Sequence, residues 1–290
     1  MLAVVLLSSC GNTKTNTDTT KGKVPVSVTF NAMAEFVHAV GKDKVSISTI
    51  IPDGTEPHDF EPKVKDLESL STTKVLVYNG LDMENWVPKA VKSANNHSLV
   101  VVEASKGVEP IKSADSSENG QDDPHALMSL KCAQIEVTNI ADGLIKADPK
   151  NEAYYTANAQ TFNTQLQQLY DSYASKFQSA RRKDFITGHA AFAYLCRDFG
   201  LEQKSVEDVF ASGEPSAAKL AELVTYCREN LIKTIFAETM VSPNVSQTLA
   251  NEVGAKVQTI YTMEGREDNK DYLTRIKENL DKIYASLNET

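Results

Sequence analysis

The chain is expected to fold as an α/β protein with two lobes, each a small parallel sheet flanked by helices, joined by one long rigid helix. Three observations carry that expectation. Short β-rich runs alternate with helical patterns at lengths typical of parallel sheets. The alternation occurs twice. Between the two series, Asn151 to Ser179 contains neither proline nor glycine, and Tyr155, Phe162, Leu166, Leu169, Tyr173 and Phe177 fall on one stripe. A helix of that length spans roughly 40 Å, more than one small lobe, so it is expected to run along both.

In the first series, strands are expected at Val24–Phe30, Val45–Ile51, Lys74–Tyr78 and Leu99–Val102. Helices are expected at Asn31–Val40 (stopped by Gly41), Lys63–Ser71 and Met83–Ala94. A polar loop, Lys106–Asp123, leads to a mostly helical Met128–Lys146, and Asp148-Pro149 opens the long helix. The second series places strands at Phe185–Thr187, Lys204–Phe210, Thr234–Ala237 and Lys256–Ile260. Its helices are Ala190–Phe199, Ala217–Glu229, Asn244–Val253 and Asp271–Leu287. The lobes are therefore assigned to residues 24–150 and 181–290, with 151–180 linking them.

The start of the chain stands apart. Met1 to Ser9 is a short apolar run before Cys10, too short to span a bilayer, and it reads as the remnant of an export signal over residues 1–9. Leu7-Ser8-Ser9-Cys10 resembles a bacterial lipoprotein cleavage box, in which Cys10 would carry lipid. Residues 10–23 are polar and low in complexity, suited to a flexible tether. The protein is thus expected outside the cytoplasm, anchored to the cell membrane. Cys132, Cys196 and Cys227 allow one disulfide, Cys196–Cys227, or three buried free thiols.

In 290 residues, 41% are hydrophobic and 24% charged, which describes a soluble globular protein. A net charge of -9 without an arginine-rich run argues against nucleic-acid binding.

Three histidines interrupt or begin secondary structure. His58 lies between Pro57 and Pro62 in a stretch rich in carboxylates, a poor setting for helix or strand and a good one for a rigid turn. His125 follows Asp122-Asp123-Pro124, and His189 follows Gly188 directly after a strand. In open parallel sheets ligands sit beyond the carboxyl ends of strands. Three imidazoles and a carboxylate brought together there make a first-row metal site. Glu264, in a loop closed by Gly265, is the preferred carboxylate, with Glu214 the alternative. Glu56 and Asp123 are candidates to hydrogen-bond the histidine rings from behind. His38, within a helix, and His97, in a surface turn, are read as ordinary surface or half-buried histidines.

Taken together, Gly54-x-Glu56-Pro57-His58-x-Phe60-Glu61-Pro62, Asp123-Pro124-His125, Gly188-His189-x-Ala191-Phe192-x-Tyr194, Phe236-Ala237-Glu238 and Ala250-x-Glu252-x-Gly254-Ala255 resemble the zinc/manganese substrate-binding proteins of bacterial ABC importers, the ZnuA-like or cluster A-I family. The resemblance runs from about Val24 to Leu287. It implies two pseudo-symmetric lobes, a long joining helix, metal between the lobes, and ligands at His58, His125 and His189. It also implies an ABC permease as partner and a monomeric chain without enzymatic activity.

Met263 stands roughly where manganese-type members place an aspartate, and the following Glu264-Gly265 looks like the zinc type, where the glutamate completes a tetrahedron. Zn2+ is therefore the expected cargo, with manganese or iron the alternative. The loop Lys112–Asp123 keeps Asp115, Glu118, Asp122 and Asp123 but lacks the histidines of many zinc members. A zinc hydrolase is disfavoured, since no HExxH or GxSxG pattern occurs. A lipid-anchored adhesin remains a rival that no residue specifies. Because neutral imidazoles bind the cation, affinity is expected to fall as pH drops through about 6.5.

Overall fold

The computed structural model describes residues 22–113, 120–211, 215–239, 243–266 and 268–289. The export remnant, Cys10 and most of the tether lie outside the described residues, as do Asp115, Glu118 and Glu214.

Two four-stranded sheets, both fully parallel, form the two halves. The first has the order β2-β1-β3-β4, from Val24–Val28 (β1), Val45–Thr49 (β2), Val75–Tyr78 (β3) and Val100–Glu103 (β4). The second repeats it as β6-β5-β7-β8, from Asp184–Thr187 (β5), Glu202–Ser205 (β6), Thr234–Glu238 (β7) and Lys256–Ile260 (β8). Strands such as Val75-Leu76-Val77 are buried on both faces, which is why they lack polar alternation. In each sheet strand order reverses beside the first strand, and a crevice opens at that point.

Helices α1 (Asn31–Gly41), α2 (Val87–Ala94) and α3 (Leu130–Ala147) flank the first sheet; α5 (Ala193–Phe199), α6 (Ala217–Glu229), α7 (Pro243–Val253) and α8 (Tyr272–Leu287) flank the second. The long helix α4 runs from Glu152 to Ser179. It packs on α1 and α3 of the first half and on α5 and α8 of the second, through Tyr155, Ala159, Leu166, Tyr173 and Phe177. One hydrophobic core continues through both halves, from Val26 and Phe36 by way of Leu166 and Phe177 to Phe185, Phe236 and Leu280. Burying each such large side chain contributes about 1.5–3 kcal/mol, so the halves are joined by packing as well as by chain.

Three expectations are adjusted, and one pair of alternatives is resolved. Val64–Ser71 is a 3-10 helix, opened by a hydrogen bond from the Lys63 backbone N–H to Asp66 Oδ2 at 2.8 Å. The expected strand to Phe210 stops at Ser205, because the chain leaves the sheet and carries the Val209 carbonyl to His189. Helix α5 begins at Ala193, since residues 188–191 are occupied in holding His189. No Cys196–Cys227 disulfide forms: all three described cysteines are free and buried. Cys196 belongs to the continuous core with Phe185, whereas Cys227 packs with Ile186 on the opposite face of the second sheet. Neighbouring strand residues point to opposite faces, so the sheet itself separates the two thiols.

Candidate metal centre

Each half presents its candidate ligands on loops beyond the carboxyl ends of its strands. His58 follows β2 in a loop folded by two turns, Thr55 N–H to the Pro52 carbonyl and Phe60 N–H to the Pro57 carbonyl. Phe60 packs edge-on against Trp86, and Phe210 of the second half packs edge-on against the His58 ring.

His125 opens a short 3-10 turn to Met128. Behind it, Asn79 Nδ2 donates to the Pro124 carbonyl at 2.9 Å, and Asn79 is itself held by Glu84, which accepts from the Asn79 and Gly80 backbone N–H groups and from Thr29 Oγ1. Asp123 Oδ1 accepts from both the His125 backbone N–H (2.9 Å) and Nδ1 (2.8 Å). That fixes the tautomer and turns Nε2 forward. The Asp123 carbonyl accepts from the Tyr194 hydroxyl at 2.7 Å.

His189 is held differently. Its backbone N–H donates to Glu238 Oε1 at 3.2 Å, and its carbonyl accepts from Ala191 N–H, Thr187 Oγ1 and Gln203 Nε2. A carbonyl oxygen only accepts, so Nε2–H donates to Val209 at 2.9 Å, and the neutral ring keeps its lone pair on Nδ1, which is buried without a partner. Gly188 is required here, because a Cβ would stand 2.4 Å from Glu238 Oε2.

These loops converge. The ring centroids lie 5.1 Å apart for His58–His125, 5.7 Å for His58–His189 and 4.8 Å for His125–His189. Glu264 joins them from the loop after β8. Met263 precedes it at φ 66°, fully buried, a left-handed conformation that costs a non-glycine residue on the order of 1 kcal/mol. His58 Nε2 and His125 Nε2 are 3.3 Å apart, and Glu264 Oε1 is 3.3 Å from the first and 3.2 Å from the second. Ligands about 2.0–2.1 Å from a cation at tetrahedral angles stand about 3.3 Å from one another. The three edges match one face of such a tetrahedron, and one donor atom from each histidine completes a group within 4.8 Å.

Glu56, a candidate to hydrogen-bond a ring, faces the cluster and lies with His58 and Glu264 in a group that could hold a metal ion. Its Oε1 is 3.8 Å from His58 Nε2, and neither carboxylate oxygen has a hydrogen-bond partner. His38 and His97 are exposed and distant in role, as expected.

The electrostatics are uneven. Burial opposes charge on His125, but the Asp123 and Glu264 carboxylates outweigh it and push the ring up to about 10. His189 is pulled down to about 3, by burial first and then by the positive charge of His125. Glu264 is buried, yet hydrogen bonds from His125 and His58 hold it well below the usual carboxylate range. Burial and the Glu264 charge push Glu56 up to about 8.

Sequence reasoning did not anticipate Asn79, Glu84, Gln203 or the Val209 carbonyl as supports. Asn79 directly follows the expected strand Lys74–Tyr78 and carries no other signal, and a carbonyl carries none in residue type. Glu238 stands in the Phe236-Ala237-Glu238 motif without an assigned role.

Fold and cluster together define a class, the two-lobed proteins that enclose a cation between paired α/β halves. The chain belongs to the family described as ZnuA, zinc-uptake complex component A, periplasmic, whose model matches residues 26–286. It is 38% identical over 300 residues to the high-affinity zinc uptake system protein ZnuA of Bacillus subtilis (strain 168), covering 98% of this chain and 94% of that one. The laminin binding protein of Streptococcus agalactiae, described as having adhesin and metal-transporting activity, superposes with a TM-score of 0.85 at 32% identity, over 91% of this chain and 99% of that one. A zinc-bound deletion mutant of ZnuA gives 0.83 at 28% identity, over 92% and 99%. The family is a component of an uptake complex and not a class of enzymes. Among the described residues, no helix is long and apolar enough to cross a membrane.

Proposed function

We propose that this protein captures Zn2+ outside the cytoplasm and delivers it to an ABC permease, with His58, His125, His189 and Glu264 as the ligands. The observation that carries the reading is the triangle of His58 Nε2, His125 Nε2 and Glu264 Oε1, with edges of 3.2–3.3 Å. Zinc favours four nitrogen, sulfur or oxygen ligands in a tetrahedron, whereas manganese favours more oxygens and higher coordination. Four protein ligands leave no open position for a substrate, which suits capture and handover. Residues 24–150 and 181–290 act as the two lobes, Cys10 carries the lipid, residues 10–23 tether the monomer to the membrane, and the permease takes the cation by drawing a ligand away.

The test is metal content and affinity. Protein purified from cells without added metal is expected to hold one zinc per chain, at four ligands about 2.0–2.1 Å away. His58→Ala is expected to weaken zinc binding at least tenfold in a calorimetric titration. Purified protein that carries manganese with six oxygen-rich ligands, or unchanged zinc affinity in the variant, overturns the reading.

A further inference from the structure

Glu264 is the one member of the cluster that leaves a strand of the second half and is secured to the first. Its carbonyl accepts from the Asn31 N–H of α1 at 3.4 Å. Further along the loop, Arg275 of α8 is 1% exposed and grips both sides. Its Nε donates to Asp268 Oδ1 at 2.9 Å and Nη2 to the Asp268 carbonyl at 3.1 Å, while Nη1 donates to Glu35 Oε1 of α1 at 3.1 Å. Glu35 also accepts from Asn31 Nδ2 at 2.8 Å and from the Tyr272 N–H. The Tyr272 hydroxyl donates to the Leu127 carbonyl at 2.6 Å, two residues from His125. A cavity of about 910 Å³ lies beside these contacts, lined by Glu35, Asp268, Tyr272 and Arg275 together with Phe162 of the long helix. It gives the loop room to move once it is freed.

A buried guanidinium spanning two carboxylates is oriented by its planar fork in a way a lysine cannot reproduce. Neutralising Glu35 removes the charged partner through which the guanidinium reaches the first half, while Asp268 still holds Arg275 to the loop, so the link between the halves is weakened and the loop's own anchor is kept.

We propose that Glu35 and Arg275 are positioning residues for the cation: with Asp268 they latch the loop that carries Glu264 onto the first lobe, holding that carboxylate against the His58–His125 pair. The proposal rests on the zinc-capture reading and adds residues that do not touch the ion.

The experiment follows zinc release from the full chain into excess chelator for wild type, Glu35→Gln, Arg275→Lys, Glu264→Gln and Glu35→Gln/Glu264→Gln. Glu35→Gln is expected to release zinc at least tenfold faster, and Arg275→Lys, which keeps the positive charge, about threefold faster. In the Glu264→Gln background, Glu35→Gln is expected to change the rate less than twofold, because the latch acts through Glu264. Cobalt substituted for zinc reports the geometry: the intense visible bands of a tetrahedral ion should weaken in Glu35→Gln as they do in Glu264→Gln. Equal acceleration by Glu35→Gln with and without Glu264 would mark a general structural role and overturn the proposal, as would release rates and cobalt spectra unchanged in both latch variants. A wild-type chain that binds no zinc defeats the capture reading itself, and the latch with it.

Discussion

His125 and His189 meet with ring centroids 4.8 Å apart, yet the two halves hold them by opposite chemistry. The first half backs its imidazole with the Asp123 carboxylate; the second backs its imidazole with the Val209 carbonyl. A full negative charge makes the His125 ring basic, up to about 10, while the neutral dipole behind His189 cannot offset burial, and that ring falls to about 3. The same side chain thus becomes a strong donor that must first lose a proton, or a weaker donor that is always ready. In the proposed site one candidate ligand would compete with a proton for the ion and the other would not.

The comparison can be broken most severely at the rings. His125→Ala is expected to lower zinc affinity at least a hundredfold and His189→Ala at least tenfold, measured by competition with a chelator of known affinity. Equal losses would mean that the carboxylate behind His125 adds nothing.

A subtler test uses pH. Zinc takes the deprotonated ring, so with His125 up at about 10 the affinity should climb through neutrality to about pH 10, roughly tenfold per unit for one proton displaced. His189, at about 3, contributes no slope above pH 4. This rise beyond the range near 6.5 expected of an ordinary imidazole is what the titration checks. Asp123→Asn should cost about 10–100-fold in affinity at high pH and move the plateau to lower pH. A titration that levels off at the same pH in variant and wild type would refute the assignment.

The smallest effect concerns buried acids that differ between halves. Glu136 in the first and Glu238 in the second are both pushed up to about 8, burial being the largest cause in each. Below about pH 4.5 each is protonated in folded and unfolded chains alike, and its stabilising contribution is intact. As pH rises towards 8 the unfolded chain ionises first, so stability falls by about 1.4 kcal/mol per unit per group, and above 8 the loss is complete. Glu136→Gln and Glu238→Gln should each flatten the fall in Tm of metal-free protein between pH 5 and 8. Only Glu238, which accepts from the His189 N–H, should also weaken zinc binding; Glu136→Gln should leave it within twofold.

Much of this was legible in the sequence. The strands, the proline- and glycine-free α4 and the loop histidines follow from periodicity and from residues that break it. Asp123 was readable because it sits two positions from the ring it holds. Asn79, Glu84 and Arg275 were not, since their partners are fixed by the register of distant strands and helices. The choice between a Cys196–Cys227 disulfide and three buried free thiols stayed open for a related reason: position in sequence says nothing about which face of a sheet a thiol occupies, and the free thiols are what the fold contains.

The helix from Glu152 to Ser179 has a mechanical consequence. The core it lines is completed by both halves, so a clamshell opening would expose rings that meet across the seam, such as Phe36 and Tyr272 with centroids 4.7 Å apart. The halves are therefore expected to stay together, with loading and unloading of the proposed cargo left to the short segments at the rim. Cargo traffic in this molecule is a matter of fingers and not of jaws.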